Sequence, residues 1–259
     1  MTDFVLLERE GEIAKVTLNQ PAKLNAINNG MWTRLRAIFT ELDHDDSLRC
    51  VILAGAGDRA FSVGADISEF EENRSTIDKS RQYHERTHAA MQAIFCCRHP
   101  VIAQIGGLCV GGGLELATTC DLRICGEGAR FGIPVKRLGL VVSYTELKPL
   151  IDLIGPASAL EILLEGRIHS AEEALRMGLV NRVMPDEEVE HEVFATAVRI
   201  AEGAPLVARW HKKFTRRLMQ AEPLSDEEMG EAFDCFETED FRAGYQAFLA
   251  KSKPEFKGR

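Results

Sequence analysis

Apolar and polar residues alternate around Phe4-Val5-Leu6-Leu7 and again through Ile13-Ala14-Lys15-Val16-Thr17-Leu18, with Glu10-Gly11-Glu12 between them. This pattern predicts two strands joined by a tight turn. The period then changes. Behind Asn28, a good N-cap residue, Met31, Leu35, Ile38, Phe39 and Leu42 recur at helical spacing, and Cys50-Val51-Ile52-Leu53-Ala54 reads as a short buried strand closed by Gly55-Ala56-Gly57. A helix through Tyr83, Ala90, Met91 and Ile94 stops at His99-Pro100, where the proline ends it, and Val101-Ile102-Ala103-Gln104-Ile105 is the next strand. A glycine-rich turn leads into a helix holding Leu114-Glu115-Leu116-Ala117, and Asp121 to Cys125 is strand-like again. From Pro156 onward helix follows helix: Ser170-Ala-Glu-Glu173 and Ser225-Asp-Glu-Glu228 are capping-box sequences, and Pro205 opens a helix carrying Trp210. The expectation is an α/β body over residues 1–195 and a helical segment over residues 196–259, with no linker between them and no internal repeat.

Composition narrows the function. The 259 residues are 45% apolar and 27% charged, ordinary for a globular chain, and the net charge of −9 argues against unspecific binding to nucleic acid or anionic membrane. The uncharged run from His99 to Leu114 spans only 16 residues and holds five glycines, too short and too polar for a membrane span. The opening Met-Thr-Asp-Phe-Val-Leu-Leu-Glu lacks the features of a secretory signal. Seven scattered cysteines read as reduced thiols, so a cytoplasmic location is expected. Neither Cys96-Cys97 nor Cys120 with Cys125 has zinc-site spacing, and no metal is expected.

Two stretches suit chemistry: Ala60-Phe61-Ser62-Val63-Gly64-Ala65-Asp66-Ile67 and Gly106 to Glu115, each placed after a buried strand and before a helix. Such turns leave backbone N–H groups unpaired, and two donors converging on one oxygen make an oxyanion hole. Glycines there also serve tight turns and close packing with no chemistry at all. Gly55-Ala-Gly57-Asp-Arg-Ala60 matches a dinucleotide-binding fingerprint, but the residues after it form no amphipathic pattern and no acidic residue closes a strand about 20 positions on. There is no phosphate-binding P-loop and no G-x-S-x-G elbow. Glu115 lies three residues after Gly112, on the same helical face, flanked by Leu114, Leu116 and Ala117. It reads either as a desolvated proton carrier or as a glutamate favoured by the helix dipole.

Lys23-Leu24-Asn25-Ala26-Ile27, Ala60-Phe61 with Gly64-Ala65-Asp66-Ile67, His99-Pro100-Val101-Ile102-Ala103, Gly111-Gly112-Gly113-Leu114-Glu115-Leu116-Ala117 with Cys120-Asp121, Ala171-Glu-Glu-Ala174 with Gly178-Leu179-Val180, and the ending Ala247-Phe248-Leu249-Ala250-Lys251 with Phe256-Lys257 together resemble the crotonase, or enoyl-CoA hydratase/isomerase, superfamily. The resemblance runs the whole length. It implies a ClpP/crotonase-like spiral of β-β-α units with a C-terminal helical oligomerisation segment, assembling as a homotrimer or a dimer of trimers. It implies an acyl-CoA thioester as substrate, with no separate cofactor, held through the N–H groups of Ala65 and Gly112. Lys23, Leu24, Val63, Asp66 and Ile67 match positions that line the CoA channel, and Phe248 and Lys251 match residues that reach a neighbouring subunit's CoA.

Glu115 matches the first of two hydratase glutamates. The position of the second carries Val135, within Phe131-Gly132-Ile133-Pro134-Val135, and the glycine-rich loop that follows in the family is replaced by Val141-Val142-Ser143-Tyr144-Thr145-Glu146. Adding water to a conjugated double bond wants one base for the water and one acid for the α-carbon. Slow hydration is therefore expected, with isomerisation or decarboxylation of an acyl-CoA, or acyl-CoA binding without turnover, as the other outcomes. Tyr144 and Glu146 are the candidate accessory groups.

Overall fold

The computed structural model describes residues 3–259. In chain order the elements are β1 (Val5–Glu10), β2 (Ile13–Leu18), α1 (Asn29–Asp43), β3 (Cys50–Gly55), β4 (Ala60–Ser62), α2 (Phe70–Arg74) and α3 (Ile77–Cys96). There follow β5 (Val101–Ile105), β6 (Leu108–Val110), α4 (Gly112–Thr118), β7 (Leu122–Gly126), β8 (Arg130–Gly132) and α5 (Tyr144–Glu165). The chain ends with β9 (His169–Ser170), α6 (Ala171–Met177), β10 (Arg182–Met184), α7 (Val189–Ala201), α8 (Pro205–Leu218), α9 (Asp226–Gly230) and α10 (Glu239–Ala250).

Two sheets form. The larger has the order β1-β2-β3-β5-β7-β10 and the smaller β4-β6-β8-β9. The hairpin β1–β2 is antiparallel from Val5 opposite Leu18 to Glu10 opposite Ile13, and β2, β3, β5, β7 and β10 then run parallel. From β3 to β8 the strands alternate between the sheets, β3, β5 and β7 in one and β4, β6 and β8 in the other, with helices closing each turn. This is the expected spiral of β-β-α units.

Side chains on a strand alternate between its faces, so a strand buried on both faces must be apolar throughout. Val51 and Leu53 of β3, and Val101, Ala103 and Ile105 of β5, pack into the main core with Trp32, Leu35 and Phe39 of α1 and Met91 and Ile94 of α3. Their neighbours Cys50, Ile52 and Ile102 face the other way, against Val189, Val193 and Ala197 of α7. At roughly 1.5–3 kcal/mol for each large apolar side chain removed from water, these two clusters dominate the stability of the body.

The structure adds strands in places read as turns or helices. β4, β6 and β8 have three residues each, too few for a readable alternation, and β9 and β10 interrupt the stretch after Pro156 that had read as helical. Pro156 opens only the second half of α5, because Gly155 at φ 73°, ψ 166° breaks that helix. Both expected capping boxes form, at Ser170 and Ser225, and a third forms at Ser143. The division expected between residues 195 and 196 falls inside α7. Among the described residues no helix is long and apolar enough to cross a membrane.

Candidate active site

One wall of the site starts at Lys23-Leu24-Asn25. Leu24 and Asn25 both adopt φ 54°, which turns the chain sharply after a short 3-10 helix over Pro21–Lys23. Asparagine tolerates that conformation better than most residues, and its side chain compensates. Asn25 Nδ2 donates to the carbonyls of Ala56 (3.0 Å) and Ala60 (2.7 Å), while its Oδ1 accepts from Gln20 N–H (3.0 Å). Buried Ser62 donates to Asn25 O (2.8 Å) and accepts from Gly64 N–H (3.1 Å). These bonds pin the end of β4 against the loop. Ile27 N–H then donates to Gly64 O (2.7 Å), Asp66 N–H donates to Ile27 O (3.0 Å), and the Ala65 N–H between them has no acceptor among the described residues.

The second wall is the turn from β6 into α4. Gly111 sits at φ 55°, ψ −130°, a conformation essentially closed to residues with a Cβ, and donates to Gly132 O (2.8 Å). That reversal starts α4 at Gly112, whose N–H also lacks an acceptor among the described residues, as the first turn of a helix requires. The two walls touch: a Cβ on Gly64 would lie 2.6 Å from Gly112 N. A Cβ built on Gly112 would lie 3.6 Å from Ala65 N and 3.7 Å from Glu115 Oε2. The backbone nitrogens of Ala65 and Gly112 and the Glu115 carboxyl therefore lie around a single small space.

Glu115 is held there by α4, and its carboxyl has lost most of its contact with water. Burial first, and the charge of Glu146 second, push its pKa from 4.5 up to about 8, against the opposing pull of Arg74. Arg74 stands over the rings of Phe70 (4.7 Å) and Tyr83 (4.5 Å), and Tyr83 Oη accepts from Trp32 Nε1 (3.2 Å). Arg74 and Tyr83 are near enough to the Glu115 carboxyl for charge to act between them, and Trp32 joins them through Tyr83. No sequence spacing signals this, since α1, α2 and α3 bring them together only in the fold.

The candidate accessory groups separate. Tyr144 is 94% exposed and faces outward. Glu146, at the start of α5, accepts from Ser143 N–H (3.0 Å) and Ser143 Oγ (2.6 Å), and its Oε1 lies 3.7 Å from His84 Nδ1. Val135 begins a 3-10 turn over Val135–Leu138 and packs, half-buried, against the main core.

Of the other candidates, Leu24 and Val63 are half-buried beside the Asn25 and Ser62 bonds, joined by Val63 N–H donating to Leu24 O (3.2 Å). Lys23 Nζ bonds Asp66 Oδ2 (2.7 Å) and Ser68 Oγ (3.3 Å). Burial opposes ionisation of Asp66, but the bonds from Lys23 and Ser68 prevail and hold its carboxyl below the usual range. Ile67 is exposed, as are Phe248 on α10 and Lys251 at that helix's C-cap. α10 packs chiefly on the preceding 3-10 segment Glu231–Glu237, so this chain does not by itself join Phe248 and Lys251 to Ala65 and Gly112. A cavity of about 560 Å³ opens beside Glu115's neighbours, lined by Arg74, Ser75, Thr76, Ile77, Ser80, Arg81, His84 and Glu85. Another, of about 920 Å³, lies away from this chemistry, under Trp210 and Phe214 of α8. Among the described residues no group of three His, Cys, Asp or Glu side chains could hold a metal ion.

The sequence model of the enoyl-CoA hydratase/isomerase family matches residues 8–259. The chain is 36% identical to the short-chain-enoyl-CoA hydratase of Clostridium acetobutylicum, covering 98% of each protein. It is 34% identical to the crotonyl-CoA hydratase of Syntrophomonas wolfei, covering 97% of each. The crystal structure of an enoyl-CoA hydratase/carnithine racemase from Magnetospirillum magneticum superposes with a TM-score of 0.98 at 46% identity, over 100% of this chain and 97% of that one. The chain belongs to the enoyl-CoA hydratase/isomerase family of the crotonase superfamily.

Proposed function

We propose that this protein acts on short-chain enoyl-CoA thioesters through a thioester enolate, with the Ala65 and Gly112 N–H groups as the oxyanion hole and Glu115 as the principal proton carrier. The observation that carries the reading is the convergence at Gly112: a point within van der Waals reach of both Ala65 N and Glu115 Oε2. An oxygen seated there gains charge as the enolate forms. Preformed donors stabilise that charge by about 2.7–4 kcal/mol per donor and need no rearrangement during the reaction.

The simplest reaction Glu115 supports alone is migration of a double bond. Ionised Glu115 takes a proton from C2 of a 3-enoyl thioester, the electron pair moves onto the thioester oxygen as a dienolate, and the same carboxyl returns the proton to C4. The double bond is left between C2 and C3. Hydration of a 2-enoyl thioester passes instead through the enolate of a 3-hydroxyacyl thioester, held by the same donors, and needs a second group for the water. No cofactor besides the CoA of the substrate enters this reading.

Binding rests on Lys23, Leu24, Val63, Asp66 and Ile67 along the channel. Phe248 and Lys251 complete it from a neighbouring subunit of a homotrimer or a dimer of trimers. Supporting that assembly, Phe233, Phe236, Phe241, Tyr245, Phe248 and Leu249 are all exposed on the C-terminal segment of one chain, more apolar surface than a monomer commonly leaves in contact with water.

The test is turnover and product analysis with a panel of CoA thioesters that includes crotonyl-CoA and 3-butenoyl-CoA, for the wild type and Glu115→Gln. Loss of turnover by at least about 10²-fold in Glu115→Gln, with thioester binding retained, is expected, because the amide keeps the shape but exchanges no proton. Binding of thioesters without turnover of any member by the wild type would overturn the reading.

A further inference from the structure

Val135 leaves Glu115 without a second carboxylate at the place where the resemblance puts one, yet the fold brings another from a different direction. α5 packs against α4, and Glu146, in the first turn of α5, is near enough to Glu115 for its charge to act there. The Glu146 carboxylate is not free to wander. Its Oε2 is fixed by both the N–H and the hydroxyl of Ser143, which leaves Oε1 facing His84 Nδ1 at 3.7 Å. The far ring nitrogen, His84 Nε2, lies 3.3 Å from Thr145 Oγ1, so the imidazole bridges the side of α3 to the start of α5. His88 lies one turn along α3 with its ring near-parallel to that of His84, centroids 5.9 Å apart. His84 has no part in the isomerisation that Glu115 supports alone.

We propose that Glu146 is the second acid/base group of this site and that His84 is its positioning residue, aiming Oε1 at a water that adds to C3 of a 2-enoyl thioester. The proposal rests on the reading that Glu115 and the Ala65 and Gly112 donors handle the thioester. Each proton has a place. Water gives a proton to the Glu146 carboxylate as its oxygen bonds to C3. The C2–C3 π electrons move to the thioester oxygen, and protonated Glu115 then delivers its proton to C2. Transfer from protonated Glu146 to ionised Glu115 restores the starting state, and the sum is one water added to one double bond. Roles follow from the environment: at neutral pH Glu115 carries its proton, which suits the acid, and this leaves Glu146 as the base.

The charged and titratable groups around the pair are Glu115 on α4, Arg74 on α2, Arg81, Glu85 and His88 on α3, and Tyr83 behind Arg74. Among the described residues, only His84 and Ser143 stand within reach of the Glu146 carboxylate's oxygens.

The experiment compares crotonyl-CoA hydration with isomerisation of 3-butenoyl-CoA in wild type, Glu146→Gln, His84→Ala and His84→Asn. A Gln at this third helical position still serves a capping box, so Glu146→Gln keeps the start of α5. In Glu146→Gln, hydration kcat should fall about 10²-fold further than isomerisation, with KM for crotonyl-CoA within about twofold. His84→Ala should lower hydration kcat about tenfold, and His84→Asn, which keeps a donor where Nδ1 stood, should recover most of the loss. Equal losses in both reactions for Glu146→Gln, or no recovery in His84→Asn, would overturn the proposal in favour of a structural role for these side chains. Wild-type protein that isomerises but does not hydrate would overturn it too, while leaving the role of Glu115 intact. Loss of both reactions in Glu115→Gln alone tests the earlier reading separately.

Discussion

Glu115 links protonation to stability and, in the role proposed for it, to turnover. Its carboxyl titrates near 8 in the folded chain, against an ordinary 4.5, because burial and then Glu146 disfavour the charge. A raised folded value means that the native state holds the proton more tightly, so the associated stability is complete below about 4.5 and is lost as pH rises through about 8. Glu115→Gln, neutral throughout, should therefore raise the Tm by a few degrees relative to wild type near pH 9 and change it little near pH 4. Thermal unfolding at both pH values decides the matter, and an equal difference at the two would mean that the carboxyl titrates normally. With the roles proposed above, the rates should carry the same group with opposite slopes: isomerisation, which would need ionised Glu115, should rise through about pH 8, and hydration, which would need it protonated, should fall there. Gly112 offers a cleaner probe of geometry. An added Cβ meets Gly64 Cα at 3.5 Å, Ala65 N at 3.6 Å and Glu115 Oε2 at 3.7 Å, ordinary contacts, so Gly112→Ala should fold normally. On the proposed reading the methyl fills the space of the oxyanion, and turnover should drop by about 10² or more. Full activity in a folded Gly112→Ala protein would mean that no oxyanion forms beside Gly112.

How far the elements and the site were legible in the sequence depends on range. β1, β2, β3, β5, β7, α1 and α3 follow from local periodicity because each presents a long apolar face to one of two cores. β4, β6 and β8 do not, since three residues carry no period and their pairing is decided by the sheet that receives them. The cap at Ser143 is a different case. Ser143-Tyr-Thr-Glu146 has the same capping-box form that identified the helices after Ser170 and Ser225, and the signal was present in the sequence. Glu115 and Gly112 stand out through their glycine-rich turn, whereas Arg74, Tyr83 and His84 come from helices whose relative placement no local pattern encodes. The junction of α8 with the body was equally hidden. Asp121 accepts from Val101 N–H (2.7 Å), Lys212 Nζ (2.6 Å) and Arg216 Nη2 (2.7 Å), and Lys212 Nζ also donates to His99 O (2.6 Å). With the Lys212 side chain only 8% exposed, Asp121→Ala would strand a buried cation and should cost about 3–5 kcal/mol, read as a fall in Tm of roughly 10 °C. Adding Lys212→Met should restore much of that loss. If the single variant melts with wild type, the clamp contributes nothing to the attachment of α8.

At the scale of the whole molecule, the proposed CoA thioester would bring several phosphates to a chain of net charge −9, so the local handling of charge matters more than the total. Lys23, the cation proposed for the CoA channel, is not idle: its ammonium is bonded to Asp66, a carboxylate only 8% exposed, while the Lys23 side chain remains 52% exposed. A phosphate arriving there does not meet a vacant charge. It competes with an anion already seated, and the net gain is the difference between two ion pairs. The protein thus behaves at this point as an ion exchanger with a built-in counterion, and its affinity should depend on salt less steeply than its count of cations implies, because added chloride weakens the outgoing pair as well as the incoming one. Asp66→Asn keeps a hydrogen-bonding side chain for Ser68 but releases Lys23. Calorimetric titration with CoA should then show tighter binding at low salt and a steeper loss of affinity as salt is raised. An unchanged Kd and slope would mean that Lys23 has no part in receiving the phosphates. On that reading the resident carboxylate gives the channel a neutral resting state, in which an acidic protein keeps a lysine ready for phosphate without attracting every passing anion.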